Sequence, residues 1–363
     1  MDPRVHTHAE TLVDHCTDVG PEDDVLIKAP ALAEDLVVAL YEQLGERGAR
    51  PKTTLRSRRA GRAYARQMDE ADFRTKEHAL AEMEATDVVI MVQAGSNAAE
   101  TSDIDPSKAA ASNRANGPVL EERLDSTRWV ITQHPTAADA QRAELSTEAW
   151  ADTVYDAIDR DWAAQRDRQQ RMADRLDAAD EVRLKSGEHT DVTMSVAGTV
   201  GCNDYGKQNL PGGEAYTSPV PDSVEGTVLF DVPIVRNGRE IRNARLTFEG
   251  GEVVDYAAER GEEVLSSVLE TDAGARRVGE LGIGMNRGID APTGYVLFDE
   301  KMGDTVHLAL GNAIEEGVGD GAFNESATHV DLIVDMSEDS VIEVDGEVIQ
   351  RDGVFWFESG FEA

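Results

Sequence analysis

The chain has 363 residues, 40% of them hydrophobic, and carries 71 Asp and Glu against 35 Lys and Arg, for a formal net charge of −36. That length suits two domains with sizeable cores. The acid excess is spread along the sequence, so it reads as a solvated surface suited to high salt and excludes a nucleic-acid partner, which needs a basic face.

Other features narrow the class. No run reaches the roughly 18 consecutive apolar residues of a membrane span. The start, Met1-Asp2-Pro3-Arg4-Val5-His6, lacks the apolar core of a signal peptide. Two distant cysteines, Cys16 and Cys202, are too few for a disulfide scaffold; they leave one bridge open and fit a reducing cytoplasm.

In chain order, His6 and His8 lie in a segment expected to fray, and His15 and Cys16 in an amphipathic helix. The four have the residue types of a metal cluster, yet this placement reads as structural. Asp24-Val25-Leu26-Ile27-Lys28 is a short apolar strand. Pro30 opens a helix through Leu32, Leu36, Val37, Leu40 and Leu44, ending near Gly45 or Gly48. Thr53-Thr54-Leu55 is a weak strand, and a long polar helix or helix pair follows from Ala60 to Met83. Asp87 to Val92 and Trp129 to Thr132 are buried strands. Thr147 to about Asp180 is a charged helical region that closes the first domain. Strands separated by helices imply α/β architecture with a mostly parallel sheet.

From Glu181 the period changes to two. Val182-Arg183-Leu184, Val192 to Val196, Thr227 to Val232 and Ala244 to Phe248 alternate as strands, with hairpin turns expected at Asn237-Gly238 and Glu249-Gly250-Gly251-Glu252. A helix spans about Glu259 to Thr271, strands return after Asp331, and the Gly-rich stretch 311–321 reads as a loop. The fold expected is therefore an α/β domain over 1–180 followed by a β-rich, barrel-like catalytic domain over 181–363.

Chemistry concentrates in four stretches. His329 and Asp331 lie two apart, so in extended chain they face the same side. His307 begins the apolar run Leu308-Ala309-Leu310-Gly311, with Glu300 seven residues before it. Glu214 follows two glycines, which let backbone approach a ligand closely. Glu280 precedes Gly282-Ile283-Gly284, which lacks the context of a dinucleotide fingerprint. Carboxylates with imidazoles and no thiolate favour one or two ions of Zn, Co or Mn, and a metal that acidifies bound water points to a hydrolase. No nucleophile elbow is present.

Together these stretches carry a resemblance. Asn209-Leu210-Pro211-Gly212-Gly213-Glu214-Ala215-Tyr216-Thr217-Ser218-Pro219 resembles the first signature of the thermophilic, AmpS-type metallo-aminopeptidases. Glu280 to Asn286, Asp299 to Gly311 and Asn324 to Asp331 resemble the second, third and fourth, in the same order. The resemblance implies release of N-terminal residues from peptides by a homodimer enclosing an interior cavity, with the α/β domain contributing to dimer and cavity wall. It also implies two divalent ions on Glu214, Glu280, Glu300, His307, His329 and Asp331, with Glu214 or Glu280 as the carboxylate that takes the water proton. One position departs: the family commonly carries tyrosine seven residues after the histidine, where this chain has Ile314. An oxyanion donor would then come from elsewhere, such as Tyr216 or Tyr295. Two alternatives stand beside this reading. One is a non-haem Fe(II) ring-cleaving dioxygenase of the same superfamily, built on His307, His329 and Asp331. The other is a non-catalytic relative that binds metal or peptide.

Overall fold

A computed structural model describes residues 2–236, 238–319, 321 and 323–362. The chain forms two compact units: one through Asp159 together with 206–211, the other comprising 160–205 and 212–363.

The first unit is built on a five-stranded parallel sheet in the order Arg50–Leu55, Asp24–Ala29, Val88–Gln93, Arg128–Gln133, Asn209–Leu210. Its central strands are continuous apolar runs because helices cover parallel sheets on both faces; Val25, Leu26, Ile27, Val88, Val89 and Ile90 are all buried. Helix Glu34–Arg47 has Glu34 and Asp35 in its first turn and ends at Gly48, whose φ of 76° provides the left-handed cap.

The helical regions hold several departures from the sequence reading. The polar region 60–83 is two helices, Arg58–Gln67 and Glu77–Glu84. The segment expected to fray is helical from Pro3. Helix Pro3–Glu10 is capped by Asp2, which accepts from Arg4 N, and it buries Val5, His8 and Ala9. Helix Pro106–Ser126 has no counterpart in the periodicity analysis, since its Ser, Asn and Gly residues and internal Pro118 hide any apolar stripe.

The second unit begins with helix Trp162–Asp177, which periodicity alone groups with the first domain. Its buried face carries amides. Gln165 Nε2 donates to Met285 O at 2.9 Å, and Gln169 Nε2 donates to Asp204 O at 2.9 Å and Glu214 O at 2.7 Å. These bonds tie the helix to the strands that carry the site.

Two antiparallel sheets complete this unit. The larger has nine strands running from Ile234–Arg236 at one end to Val354–Phe355 at the other. Among the described residues its ends do not pair, so the expected barrel does not close. Alternating segments predict strands, but closure depends on tilt and stagger that local sequence does not encode. The hairpin between Arg239–Glu249 and Glu252–Arg260 turns at Gly250 and Gly251, with φ of 57° and 78°. The turn expected at Asn237-Gly238 involves Asn237, outside the described residues. The smaller sheet has the order His329–Asp335, Thr305–Gly311, Val278–Gly284, Glu214–Thr217, Cys202–Asp204. Cys16 and Cys202 are free thiols.

Candidate metal centre

The smaller sheet collects the functional side chains through register. Directly opposed residues share a face, as do positions i and i+2. Glu214 lies opposite Gly284 and Tyr216 opposite Gly282. Gly282 lies opposite His307 and Glu280 opposite Ala309. Ala309 lies opposite Asp331 and Gly311 opposite His329. Glu214, Glu280, His307, His329 and Asp331 therefore project from one face, and among them stand Gly282, Gly284, Ala309 and Gly311, which add little or no bulk.

The side chains converge in two trios. Donor atoms of Glu214, Glu280 and His307 lie within 4.8 Å of one another, and so do those of Glu280, His329 and Asp331. His307 Nε2 is 3.4 Å from Glu214 Oε2 and 3.6 Å from Glu280 Oε1. His329 Nε2 is 3.3 Å from Glu280 Oε2 and 3.3 Å from Asp331 Oδ1. Glu280 belongs to both, offering one oxygen to each.

Backbone carbonyls orient both imidazoles. His307 Nδ1 donates to Glu300 O at 3.1 Å, and His329 Nδ1 donates to Asn312 O at 2.8 Å. Each ring is left with Nε2 toward the carboxylates, the arrangement by which outer groups fix a ligand histidine.

Glu300, the sixth expected residue, lies outside both trios. Its Oε1 accepts from Lys301, whose fully buried ammonium also donates to Glu214 Oε1 at 2.9 Å and lies 3.6 Å from Asp204 Oδ2. Neighbouring Asp299 serves the loop: its Oδ1 accepts from Thr293 N and Oγ1, and its Oδ2 from Gly294 N, each at 2.7 Å.

Crowding perturbs the titrations. Burial pushes the Glu214 carboxyl up to about 8, against the pull of Lys301 and His307. Burial also raises Glu300, partly offset by Lys301. In Glu280 burial acts upward, but hydrogen bonds from His307 and His329 bring it below its ordinary value. Burial would lower both imidazoles, yet the surrounding carboxylates raise His307 to about 9 and His329 to about 11. For Asp331 burial is the largest single influence and acts upward, but the bond to His329 together with the charges of His329, His307 and Lys301 brings it below its ordinary value.

Divalent cations fit these residues. Glu214 Oε2 is buried without a hydrogen-bond partner while it faces His307 Nε2. Such an acceptor is costly unless a proton or cation satisfies it. The donors are oxygen and nitrogen without thiolate, the set that suits Zn, Co or Mn.

Sequence reasoning missed Lys301, Asp204 and Gln169. For Lys301 the available signal was a lone lysine between motif carboxylates. For Asp204 and Gln169 there was none, because their roles arise from strand pairing and helix docking. The N-terminal histidines form no cluster among the described residues. His8 is buried with Nε2 2.7 Å from Thr132 Oγ1, whereas His6 lies 3.5 Å from Glu42 at the surface.

A site that presents carboxylates and imidazoles from one sheet face, in a chain with this α/β and antiparallel organisation, defines a metalloenzyme class. The sequence profile of the thermophilic metalloprotease family (M29) matches residues 1–359, and the chain belongs to that family. It is 31% identical over 309 residues to Aminopeptidase 2 of Geobacillus stearothermophilus, covering 70% of this chain and 73% of that protein. It is 35% identical over 203 residues to aminopeptidase AmpS of Bacillus subtilis, covering 47% and 48%. Among solved structures, AmpT from Thermus thermophilus superimposes with a TM-score of 0.84 at 23% identity, covering 97% of this chain and 99% of that one. A 2,5-dihydroxypyridine dioxygenase from Pseudomonas putida shares the fold at a TM-score of 0.63 and 15% identity, covering 98% and 97%.

Proposed function

We infer that this chain is a metal-dependent aminopeptidase that cleaves the first peptide bond of a peptide and releases its N-terminal amino acid. The observation that carries this reading is Glu280, which lends one oxygen to each of two donor trios, in a chain of the metalloprotease family whose relatives are aminopeptidases. The trios would hold two divalent ions, drawn from Zn, Co or Mn. Such ions would polarise the scissile carbonyl and supply a water acidic enough to be deprotonated near neutral pH.

The chain's own groups divide the remaining work. His307 and His329 are locked by their Nδ1 bonds to Glu300 O and Asn312 O, so their Nε2 atoms stay aimed at the centre. Glu214 has Oε1 held by Lys301 and Oε2 facing His307 Nε2, so Oε2 is the oxygen it would offer to an ion. Glu280 has both oxygens engaged. Tyr216 projects from the same face as Glu214, and burial keeps its phenol well above the ordinary range, hence neutral and able to donate.

A homodimer, a cytoplasmic location and a surface adapted to high salt accompany this reading. The last rests on the net charge of −36. No helix among the described residues is long and apolar enough to cross a membrane. The iron dioxygenase alternative would need His307, His329 and Asp331 around one ion, but His307 groups with Glu214 and Glu280 instead. Chromogenic aminoacyl substrates and short peptides, offered at high salt with Zn, Co or Mn, test the proposal. Free N-terminal amino acids are expected, and no release with any of the three contradicts it. Oxygen uptake with aromatic diols and Fe(II) would favour the dioxygenase.

A further inference from the structure

In a chain with 71 acidic and 35 basic residues, the stretch Arg56 to Arg66 holds five arginines and no acid. It follows strand Arg50–Leu55 at the edge of the parallel sheet and runs into helix Arg58–Gln67. Two further cations meet it there. Lys28 is next to last in strand Asp24–Ala29 and lies opposite Met91 of strand Val88–Gln93, so the two side chains share a face. Arg123, on helix Pro106–Ser126, donates to Met91 Sδ at 2.8 Å and sits over the Trp129 ring, 4.7 Å from its centroid. Arg56 N donates to Ala29 O at 2.9 Å, and Arg56 Nη1 reaches Val92 O at 3.5 Å. Lys28, Arg56 and Arg123 therefore gather around Met91 and Val92.

This cluster lacks the carboxylates that usually accompany sequestered charge. Among the described residues none of the three makes an ion pair. Arg123 is 9% exposed, and its Nε is buried with no hydrogen-bond partner. Glu82, the one carboxylate that acts on Lys28, is bound to Lys52 at 2.5 Å. Lost hydration lowers all three cations; the charges of Arg123 and Arg56 depress Lys28 further, and that of Arg56 depresses Arg123. Like charges held this way are costly unless an anion joins them. Topology points to the same place. The strand order reverses between Asp24–Ala29 and Val88–Gln93, and open parallel sheets take ligands beyond the carboxyl ends of the strands that flank such a reversal.

We propose that Lys28, Arg56 and Arg123 form a binding site for a phosphate group, free or carried by a nucleotide. Two guanidinium forks and one ammonium suit the several oxygens of a phosphate. Its charge of about −2 near pH 7 offsets more of the cluster than a single carboxylate does. The site lies in the first unit and shares no residue with the metal centre.

Equilibrium dialysis of the full, metal-loaded chain against radiolabelled inorganic phosphate, at one fixed high salt concentration, tests this. Wild type is compared with Arg56→Gln, Lys28→Met and Arg62→Gln; Arg62 belongs to the same basic run but is paired with Asp103. Arg62→Gln is expected to bind phosphate like wild type. Arg56→Gln and Lys28→Met should each bind it about ten-fold more weakly or worse, as for loss of a hydrogen bond to a charged group. Phosphate held by metal ions would not respond to these substitutions, so equal binding in all four proteins overturns the proposal, as does no binding in wild type. If Lys28→Met does not fold, the exposed Arg56 decides through Arg56→Gln. Unlabelled AMP then separates the two sources. Displacement of the label at a lower concentration than unlabelled phosphate requires assigns a nucleotide phosphate to the site; displacement only at an equal or higher concentration assigns the free ion.

Discussion

Gly282 and His307 face each other across neighbouring strands with no room for a side chain on the glycine: a Cβ there would lie 2.0 Å from Cε1 and 2.1 Å from Nε2 of the imidazole. The ring lies over the glycine while its Nδ1 donates to Glu300 O. Gly282→Ala should therefore displace the ring and weaken ion binding by about 10–100-fold, the range seen when groups that orient a ligand are altered. Metal titration alongside circular dichroism checks this. Unchanged affinity in a folded variant would mean that His307 placement does not set the ion site.

Removing the ions should cost stability as well as activity. The centre crowds together Asp204, Glu214 and Glu300 around Lys301 and Glu280 and Asp331 around the two histidines, and ions that bind the folded state alone stabilise it by about 4 kcal/mol at a thousand-fold excess over Kd. A chelator should lower Tm and abolish peptide hydrolysis, and adding back Zn, Co or Mn should restore both. Hydrolysis that survives complete chelation would exclude a metal role.

Much of this centre was legible before any fold was known, and the reasons are physical. Strand periodicity puts His329 and Asp331 on one side, and the glycines before Glu214 mark close approach; the structure brings these three side chains to one face together with Glu280. Lys301 was not legible. A lysine reads as surface, and only three-dimensional packing reveals that carboxylates from two strands and the end of a short helix, Asp204, Glu214 and Glu300, meet at its ammonium. Helix Trp162–Asp177 was misplaced for a related reason: its buried contacts include Gln165 and Gln169, which an apolar-stripe reading counts as solvent-facing. Helix Pro3–Glu10 was underestimated because its Asp2 cap was not weighed.

The departure at Ile314 leads to a prediction about Tyr216. Ser218 Oγ donates to Ile314 O at 3.1 Å, so the Ile314 segment packs beside the strand that carries Tyr216. If Tyr216 supplies the oxyanion donor, Tyr216→Phe should lower kcat by about 100-fold, a typical cost of deleting one such donor, with ion content unchanged. Ile314→Tyr placed in that background should restore part of the rate. An unaltered kcat in Tyr216→Phe would assign the donor elsewhere.

His8 makes the first unit sensitive to acid. Thr132 Oγ1 donates to Leu210 O, so it accepts from His8 Nε2, and His8 Nδ1 is buried with no partner. Burial, with a contribution from His134, lowers the His8 pKa to about 3. Above about pH 6.5 the imidazole is neutral in both folded and unfolded chains. As pH falls from there toward 3, the unfolded chain takes a proton that the folded one refuses, so stability declines by up to about 1.4 kcal/mol per pH unit. Between pH 6.5 and 5, denaturant unfolding of metal-loaded His8→Gln should show a shallower decline than wild type. Equal slopes would place the acid sensitivity elsewhere.

The most direct test of a centre joined through Glu280 is the number of ions per chain, measured together with peptide hydrolysis, in wild type and Glu280→Gln. Two ions per wild-type chain are expected, and at most one in Glu280→Gln, with release of N-terminal amino acids lost. A Glu280→Gln protein that still holds two ions and still cleaves peptides would contradict the account.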